Sequence, residues 1–135
     1  MHCCCGVILA EKISSGDAPA AIGPYSQAIG SGDFVYCSGQ LGLDSVSGKL
    51  VSDDVAEQAA ACLKNISHVL AAAGLSLNDV VKTTVFLTDL HEFEKVNSIY
   101  AKAFGEWKPA RSTIQVAALP KNAKVEIEAV AARIR

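Results

Sequence analysis

The chain has 135 residues, of which 50% are hydrophobic and 19% are charged. This length and balance predict one folded domain, because the chain is too short for two separate cores and too apolar to stay disordered. The formal net charge of −2 argues against a protein that wraps nucleic acid without regard to sequence, since neutralising phosphates takes clustered lysine and arginine.

The first six residues are predicted to form a flexible N-terminal tail, and residues 7–135 a single domain. The apolar run from Gly6 to Ala10 is too short for a signal-peptide core or a membrane span, so we expect a cytoplasmic protein without membrane contact. Neither a disulfide framework nor a zinc site is indicated, because the cysteines are odd in number and lack CxxC spacing. They are Cys3, Cys4, Cys5, Cys37 and Cys62. The run of three suits an unstructured extension better than an acylation site.

Two strands are predicted in the N-terminal half of the domain. Residues 7–13 have strand-like content, and residues 34–38 form a β-branched and aromatic run that Gly39 ends. Residues 41–43 are expected to continue the sheet after a kink. Gly39 can let a backbone group approach a ligand closely, or it can serve a bulge or turn.

A helix is predicted to follow from about Asp53. Asp54 and Glu57 have the spacing of a capping box, and Gly74 suits the position just after a helix end. The apolar positions between them recur every three or four residues, which indicates one buried helix face. They are Val55, Ala59, Cys62, Ile66, Val69 and Ala73.

A strand over residues 80–87 and a second helix over residues 90–104 come next. The strand is predicted to place Val81, Thr83, Val85 and Leu87 on one face, with Val80, Lys82, Thr84 and Phe86 on the other. Asp89 and Glu92 begin the helix and Gly105 ends it. Its apolar stripe comprises Phe93, Val96, Tyr100, Ala103 and Phe104. Asn97 beside that stripe is either a hydrogen-bonded structural amide or a supporting group behind a site.

Two strands, over residues 112–116 and 124–132, complete the domain around a loop that contains Pro120. In the last strand Val125, Ile127 and Ala129 share one face, whereas Glu126 and Glu128 share the other. The element order predicts an α+β fold with a mixed sheet and two helices packed on one face.

Few residues are equipped for chemistry. Arg111 is the one arginine within the body of the chain, and its guanidinium can grip a carboxylate through two parallel hydrogen bonds or form an ion pair with Glu126 or another acid. Glu126 can position a water molecule and move a proton if it faces a cleft, although strand-face carboxylates are usually solvated. Tyr25 is either a rigid aromatic wall or a packing anchor. The scattered histidines indicate neither a metal cluster nor a catalytic triad.

Several short blocks occur in a characteristic order over residues 8–132. They include Gly23-Pro24-Tyr25-Ser26-Gln27, Ser38-Gly39-Gln40, Val96-Asn97, Pro109-Ala110-Arg111-Ser112-Thr113 and Val125-Glu126-Ile127-Glu128-Ala129. Together they resemble the RidA/YjgF family of enamine and imine deaminases. Thr113 departs from the best-known bacterial type, which has cysteine there; thiol reactivity is therefore not expected.

This resemblance implies a chorismate-mutase-like fold assembled as a homotrimer with clefts between subunits. It implies hydrolysis of 2-aminoacrylate and related 2-imino acids to 2-oxo acids and ammonia without a cofactor, which protects the pyridoxal-phosphate enzymes that release them. By position, Arg111 would bind the substrate carboxylate and Glu126 would direct the attacking water. The cleft would be lined by Tyr25, Ser38, Gly39 and Thr113, with Asn97 in support.

Three other functions compete with this interpretation. The same family is associated with endoribonuclease activity and inhibition of translation, which the low net charge disfavours. A chorismate mutase is suggested by fold similarity alone, and a single internal arginine is poor provision for a dicarboxylate. A non-catalytic ligand-binding protein would keep its function after loss of Glu126.

Overall fold

The computed structural model describes residues 9–133, so the predicted tail and the Cys3–Cys5 run lie outside the described residues. The described chain forms a sheet of six strands and two α-helices. In chain order these are β1 (Ala10–Ile13), β2 (Ala28–Ser31), β3 (Phe34–Leu41), α1 (Val55–Ala72), β4 (Val80–Leu87), α2 (Phe93–Phe104), β5 (Ala110–Gln115) and β6 (Val125–Ala132). Short 3₁₀ turns span Leu77–Asp79, Leu90–Glu92 and Pro120–Asn122.

The strands lie in the order β1-β2-β3-β6-β4-β5. Neighbouring strands are antiparallel except β4 and β5, which are parallel. Parallel neighbours need a long crossover, and α2 supplies it between β4 and β5. The predicted mixed sheet is therefore confirmed, with β1 and β5 at its edges.

The core lies between the helices and one face of the sheet. Helix α1 packs on β3 and β6, and α2 packs beside α1. The sheet residues buried on this face include Val35, Cys37, Val85, Leu87, Val125, Ile127 and Ala129. Both helices thus cover one face, as the sequence predicts. The opposite face, which we call the open face, leaves Phe34, Tyr36 and Ile114 exposed to 41%, 49% and 44%.

Both predicted ends of α1 and the predicted end of α2 at Gly105 are confirmed, whereas α2 begins at Phe93, later than the predicted start at Leu90. The Asp54 carboxylate accepts a hydrogen bond from the Glu57 backbone N–H at 2.9 Å, and Gly74 has the positive φ of a helix stop. Asp89 caps the 3₁₀ turn that leads into α2. Ala103 is exposed, contrary to the predicted stripe, because α2 is buried only along Val96, Tyr100 and Phe104.

The sequence pattern does not predict strand β2, and β3 is longer than predicted. The sequence Ala-Ile-Gly-Ser of β2 carries little strand propensity, and its pairing on both sides with β1 and β3 holds it in place. Gly39 does not end β3. A register shift between Cys37 and Gln40 bulges the strand there, and pairing with β6 resumes at Gln40.

Two further expectations are wrong in detail. Leu43 does not extend the sheet but bridges Leu50 in a separate turn. In β4, Val80 is buried and Val81 is exposed, because a register shift between Val80 and Lys82 breaks the alternation. From Thr83 onward the predicted inward face of β4 is confirmed.

Along residues 9–133 none of the helices has the length and apolar character needed to cross a bilayer.

Candidate active site

Arg111 is held in a fixed position on the helix-covered side of the sheet. It lies opposite Thr83 in the parallel β4–β5 ladder, so both side chains face α2. Its Nη1 donates a hydrogen bond of 2.8 Å to Asn97 Oδ1. The guanidinium carbon lies 4.8 Å from the centre of the Tyr100 ring and 5.3 Å from that of Phe93. An amide and two rings thus orient the cation.

The aromatic support beneath Arg111 is itself anchored. The Tyr100 and Thr83 hydroxyls share a buried hydrogen bond of 2.7 Å, and the Tyr100 and Phe104 rings lie 4.6 Å apart. Such contacts fix the ring on which the guanidinium rests.

Arg111 has no ion pair with any residue that the structure describes, so the alternative of a structural pair with Glu126 is wrong for a single chain. Within residues 9–133 the contact with Asn97 is its only hydrogen bond. Since a guanidinium has five N–H donors, most of them are available to a ligand.

Thr113 lies two residues beyond Arg111 on the same face of β5. Its Oγ1 is buried and has no hydrogen-bond partner among the described residues. Buried hydroxyls are normally paired, so this atom has a hydrogen-bonding capacity that the described residues leave unused. We call Asn97, Arg111 and Thr113 the arginine group.

The remaining predicted site residues line a different cleft, of about 620 Å³. We call Tyr25, Ser38, Gly39 and Glu126 the glutamate group. Tyr25 is 52% exposed at the cleft, and Ser38 Oγ donates a hydrogen bond of 2.6 Å to the Ser26 carbonyl.

Sequence reasoning missed the role of Gln27. Its buried amide donates hydrogen bonds to the carbonyls of Ser15 at 3.2 Å and Pro19 at 2.7 Å, and accepts one from the Ser15 N–H at 2.6 Å. These contacts fix the loop that carries Tyr25. The available signal was its place at the end of the Gly-Pro-Tyr-Ser-Gln block.

Gly39 allows the Glu126 side chain to lie directly against the bulge of β3. A Cβ atom at position 39 would overlap the Glu126 carboxylate and lie 2.8 Å from its carboxyl carbon. Partial burial, and secondly the neighbouring Glu128 carboxylate, raise the pKa of Glu126. A carboxylate with a raised pKa is a better proton acceptor near neutral pH.

The two groups lie on opposite faces of one sheet. Thr83, the partner of Arg111, pairs with the buried Ala129 on β6, whereas Glu126 pairs with Phe86 and points to the open face. Because side chains alternate along a strand, one chain cannot bring Arg111 and Glu126 around the same small molecule. A site that used both side chains would therefore need a second copy of the chain. In the described residues, no three histidine, cysteine or acidic side chains are grouped to hold a metal ion.

Comparison with known proteins connects this arrangement to a family. The family model described as Endoribonuclease L-PSP matches residues 15–133. The human 2-iminobutanoate/2-iminopropanoate deaminase is 52% identical over 124 residues, which cover 92% of this chain and 90% of that protein. The chloroplastic Reactive Intermediate Deaminase A of Arabidopsis thaliana is 54% identical over 121 residues, which cover 90% of this chain and 65% of that protein.

A solved structure with the same fold contains a small ligand. The crystal structure of Escherichia coli TdcF with bound serine superposes with a TM-score of 0.87 at 44% identity. The match covers 91% of this chain and 98% of that one. Serine carries its carboxylate and its amino group on the same carbon, as all 2-amino acids do.

Proposed function

The chain belongs to the RidA/YjgF family, since the family model described as Endoribonuclease L-PSP matches most of its length. We therefore propose that it hydrolyses 2-imino acids to 2-oxo acids and ammonia. The observation that supports this most directly is the Arg111 guanidinium, which Asn97 and two rings orient but no described carboxylate neutralises. The human relative at 52% identity is named for this chemistry.

The proposed reaction begins with binding of the substrate carboxylate. Arg111 offers it two parallel N–H donors, and rotation of the Thr113 side chain would turn its unpartnered hydroxyl toward the carboxylate as a third contact. Charge-assisted bonds of this kind fix the substrate so that its imine carbon faces the glutamate group. An iminium carbon is already electrophilic, so positioning supplies most of what the reaction needs.

Glu126 then acts on a water molecule. The carboxylate accepts a proton while the water oxygen bonds to the imine carbon, which gives a tetrahedral carbinolamine. Glu126 returns that proton to the nitrogen, the C–N bond breaks, and ammonia leaves as the hydroxyl group gives up its proton and becomes the carbonyl of the 2-oxo acid. For 2-aminoacrylate, an enamine, protonation of the terminal carbon comes first and yields 2-iminopropanoate. Removal of 2-aminoacrylate in this way would protect the pyridoxal-phosphate enzymes that release it.

A coupled assay tests this function. An enzyme that eliminates water from serine generates 2-aminoacrylate, and release of ammonia and pyruvate is followed with and without the protein. Faster release with the protein than in buffer is expected; equal rates would contradict the proposal.

We further propose a homotrimer in which each cleft joins the arginine group of one copy to the glutamate group of the next. A heterologous contact repeated around a threefold axis closes into a ring. The open face, with Phe34, Tyr36 and Ile114 exposed, offers the apolar area that such contacts cover.

Light scattering is expected to give a mass of about 42 kDa, three times the 14.1 kDa of one chain. A monomer at micromolar concentration would leave the proposed cleft without its second half.

Gly39→Ala is expected to slow hydrolysis by on the order of 10²-fold, because the added methyl group displaces the Glu126 carboxylate from its contact with the bulge. Gly16→Ala is the matched control, since a Cβ there meets nothing within 4 Å. Steady-state rates and thermal melts of both variants distinguish displacement from unfolding. Wild-type rates for Gly39→Ala would exclude the placement of Glu126 in the cleft.

Glu128→Gln is expected to move the acidic limb of the pH–rate profile to lower pH. Removing the neighbouring negative charge lowers the raised pKa of Glu126, so the base stays ionised, and active, to lower pH. Glu94→Gln, on the exposed side of α2, is the control. A limb that stays in place would assign the titration to another group.

An endoribonuclease is the second candidate, because the family model carries that description. The net charge of −2 provides little attraction for a phosphate backbone. Cleavage of a single-stranded RNA that weakens steeply with added salt, and that survives loss of Arg111 and Glu126, would favour this function.

A further inference from the structure

A second cavity adjoins Arg111, on the side away from Phe93, where α2 begins. It has a volume of about 360 Å³ and lies between the C-terminal half of α2 and the segment that leads into β5. Apolar and aromatic groups form most of its lining, which is typical of small-molecule sites. The lining includes Tyr100, Ala101, Phe104, Trp107, Lys108 and Arg111. We call it the aromatic cavity.

Trp107 is both fixed and accessible. Its Nε1 donates a hydrogen bond of 2.6 Å to the Val80 carbonyl, and its backbone N–H donates one of 3.2 Å to the Phe104 carbonyl. The residue nevertheless remains 44% exposed. A ring that is oriented in advance loses little entropy when a second flat group packs against it.

The charge of the cavity is positive. Among the described residues that line it, none carries a carboxylate, whereas Arg111 and Lys108 each carry a positive charge. Such a cavity suits a ligand with a carboxylate at one end and a flat apolar group at the other.

We propose that the aromatic cavity receives the substrate side chain, that 2-imino acids with aromatic side chains are substrates, and that Trp107 is a specificity-determining residue. The inference rests on the proposed function, because Arg111 must hold the substrate carboxylate. With the carboxylate at Arg111, the side chain extends toward Trp107 within one copy. The imine carbon is then left to Glu126 of the next copy.

The test compares two imines generated by an amino-acid oxidase, one from phenylalanine and one from alanine. The measured quantity is kcat/KM for the aromatic imine divided by that for 2-iminopropanoate. Trp107→Ala should lower this ratio about tenfold. The variant loses the contact between two aromatic rings and part of the apolar area that the Trp107 ring buries against the substrate. Ala101→Leu fills the cavity from α2 with a good helix former and should lower the ratio similarly.

Ala103→Leu is the matched control, because Ala103 is exposed on the same helix and lines a different groove. Its ratio should equal that of the wild type. If the wild-type protein accelerates hydrolysis of 2-iminopropanoate but neither Trp107→Ala nor Ala101→Leu lowers the ratio, the aromatic cavity is not the side-chain site. If the wild-type protein accelerates neither imine, the proposed function itself is overturned.

Discussion

Arg111→Ala is expected to remove nearly all imine hydrolysis, and Arg111→Lys to reduce it by about 10- to 150-fold, the scale of a hydrogen bond to a charged group. Lysine keeps the charge but offers a point contact in place of two parallel donors. It also lacks the planar group that rests on the Tyr100 and Phe93 rings.

Thermal melting of the same samples separates the two roles that an arginine can have. Arg111 is half-buried and has no described ion-pair partner, so its loss should change the melting temperature little. Unchanged hydrolysis by Arg111→Ala would exclude carboxylate binding. Lost hydrolysis together with a collapsed melt would assign the residue a structural role.

Glu126→Gln is expected to slow hydrolysis by roughly 10²-fold or more, the usual scale for a positioned acid–base group. The amide has nearly the same shape, so its contact with the Gly39 bulge should persist. Binding of pyruvate should be retained, because the carboxylate contacts belong to Arg111. The control is Glu128→Gln, measured at the pH optimum of that variant. A loss of activity equal to that of Glu126→Gln would mean that Glu128 directs the water.

Mixing the two inactive variants gives a sharper test of the divided site. When Arg111→Ala and Glu126→Gln chains are unfolded and refolded together in equal amounts, each cleft of the proposed trimer would take its arginine from one copy and its glutamate from the next. Random assembly into a ring then restores about one cleft in four. Recovery near a quarter of wild-type activity is expected, whereas no recovery would mean that one copy supplies both groups.

The elements that the sequence predicts well are those whose boundaries are encoded locally. Asp54 and Gly74 delimit α1 because capping depends on residues within one turn of the helix end. Strand β2 escapes prediction because Ala-Ile-Gly-Ser has no local preference, and its neighbours β1 and β3 impose the extended conformation. The bulge at Gly39 likewise depends on β6, whose residues are almost ninety positions away.

The candidate site shows the same contrast between what local sequence encodes and what distant strands determine. Arg111 and Glu126 could be selected from residue type and from family resemblance, but their placement on opposite faces depends on strand order. Nothing in the sequence near either residue encodes that β6 lies between β3 and β4. The contact of Asn97 with Arg111 likewise depends on the packing of α2 beside β5, which no local pattern around Asn97 encodes.

The opposite-face placement of Arg111 and Glu126 has a genetic consequence under the proposed assembly. Each chain supplies one half to each of two clefts, so a chain that lacks both side chains disables two of the three clefts in any trimer it joins. A cell carrying one normal and one doubly defective copy of the gene would therefore lose more than half of its activity. If a single chain supplied whole sites, the loss could not exceed half. With random assembly about a quarter of all clefts keep both halves intact. Such alleles would behave as dominant.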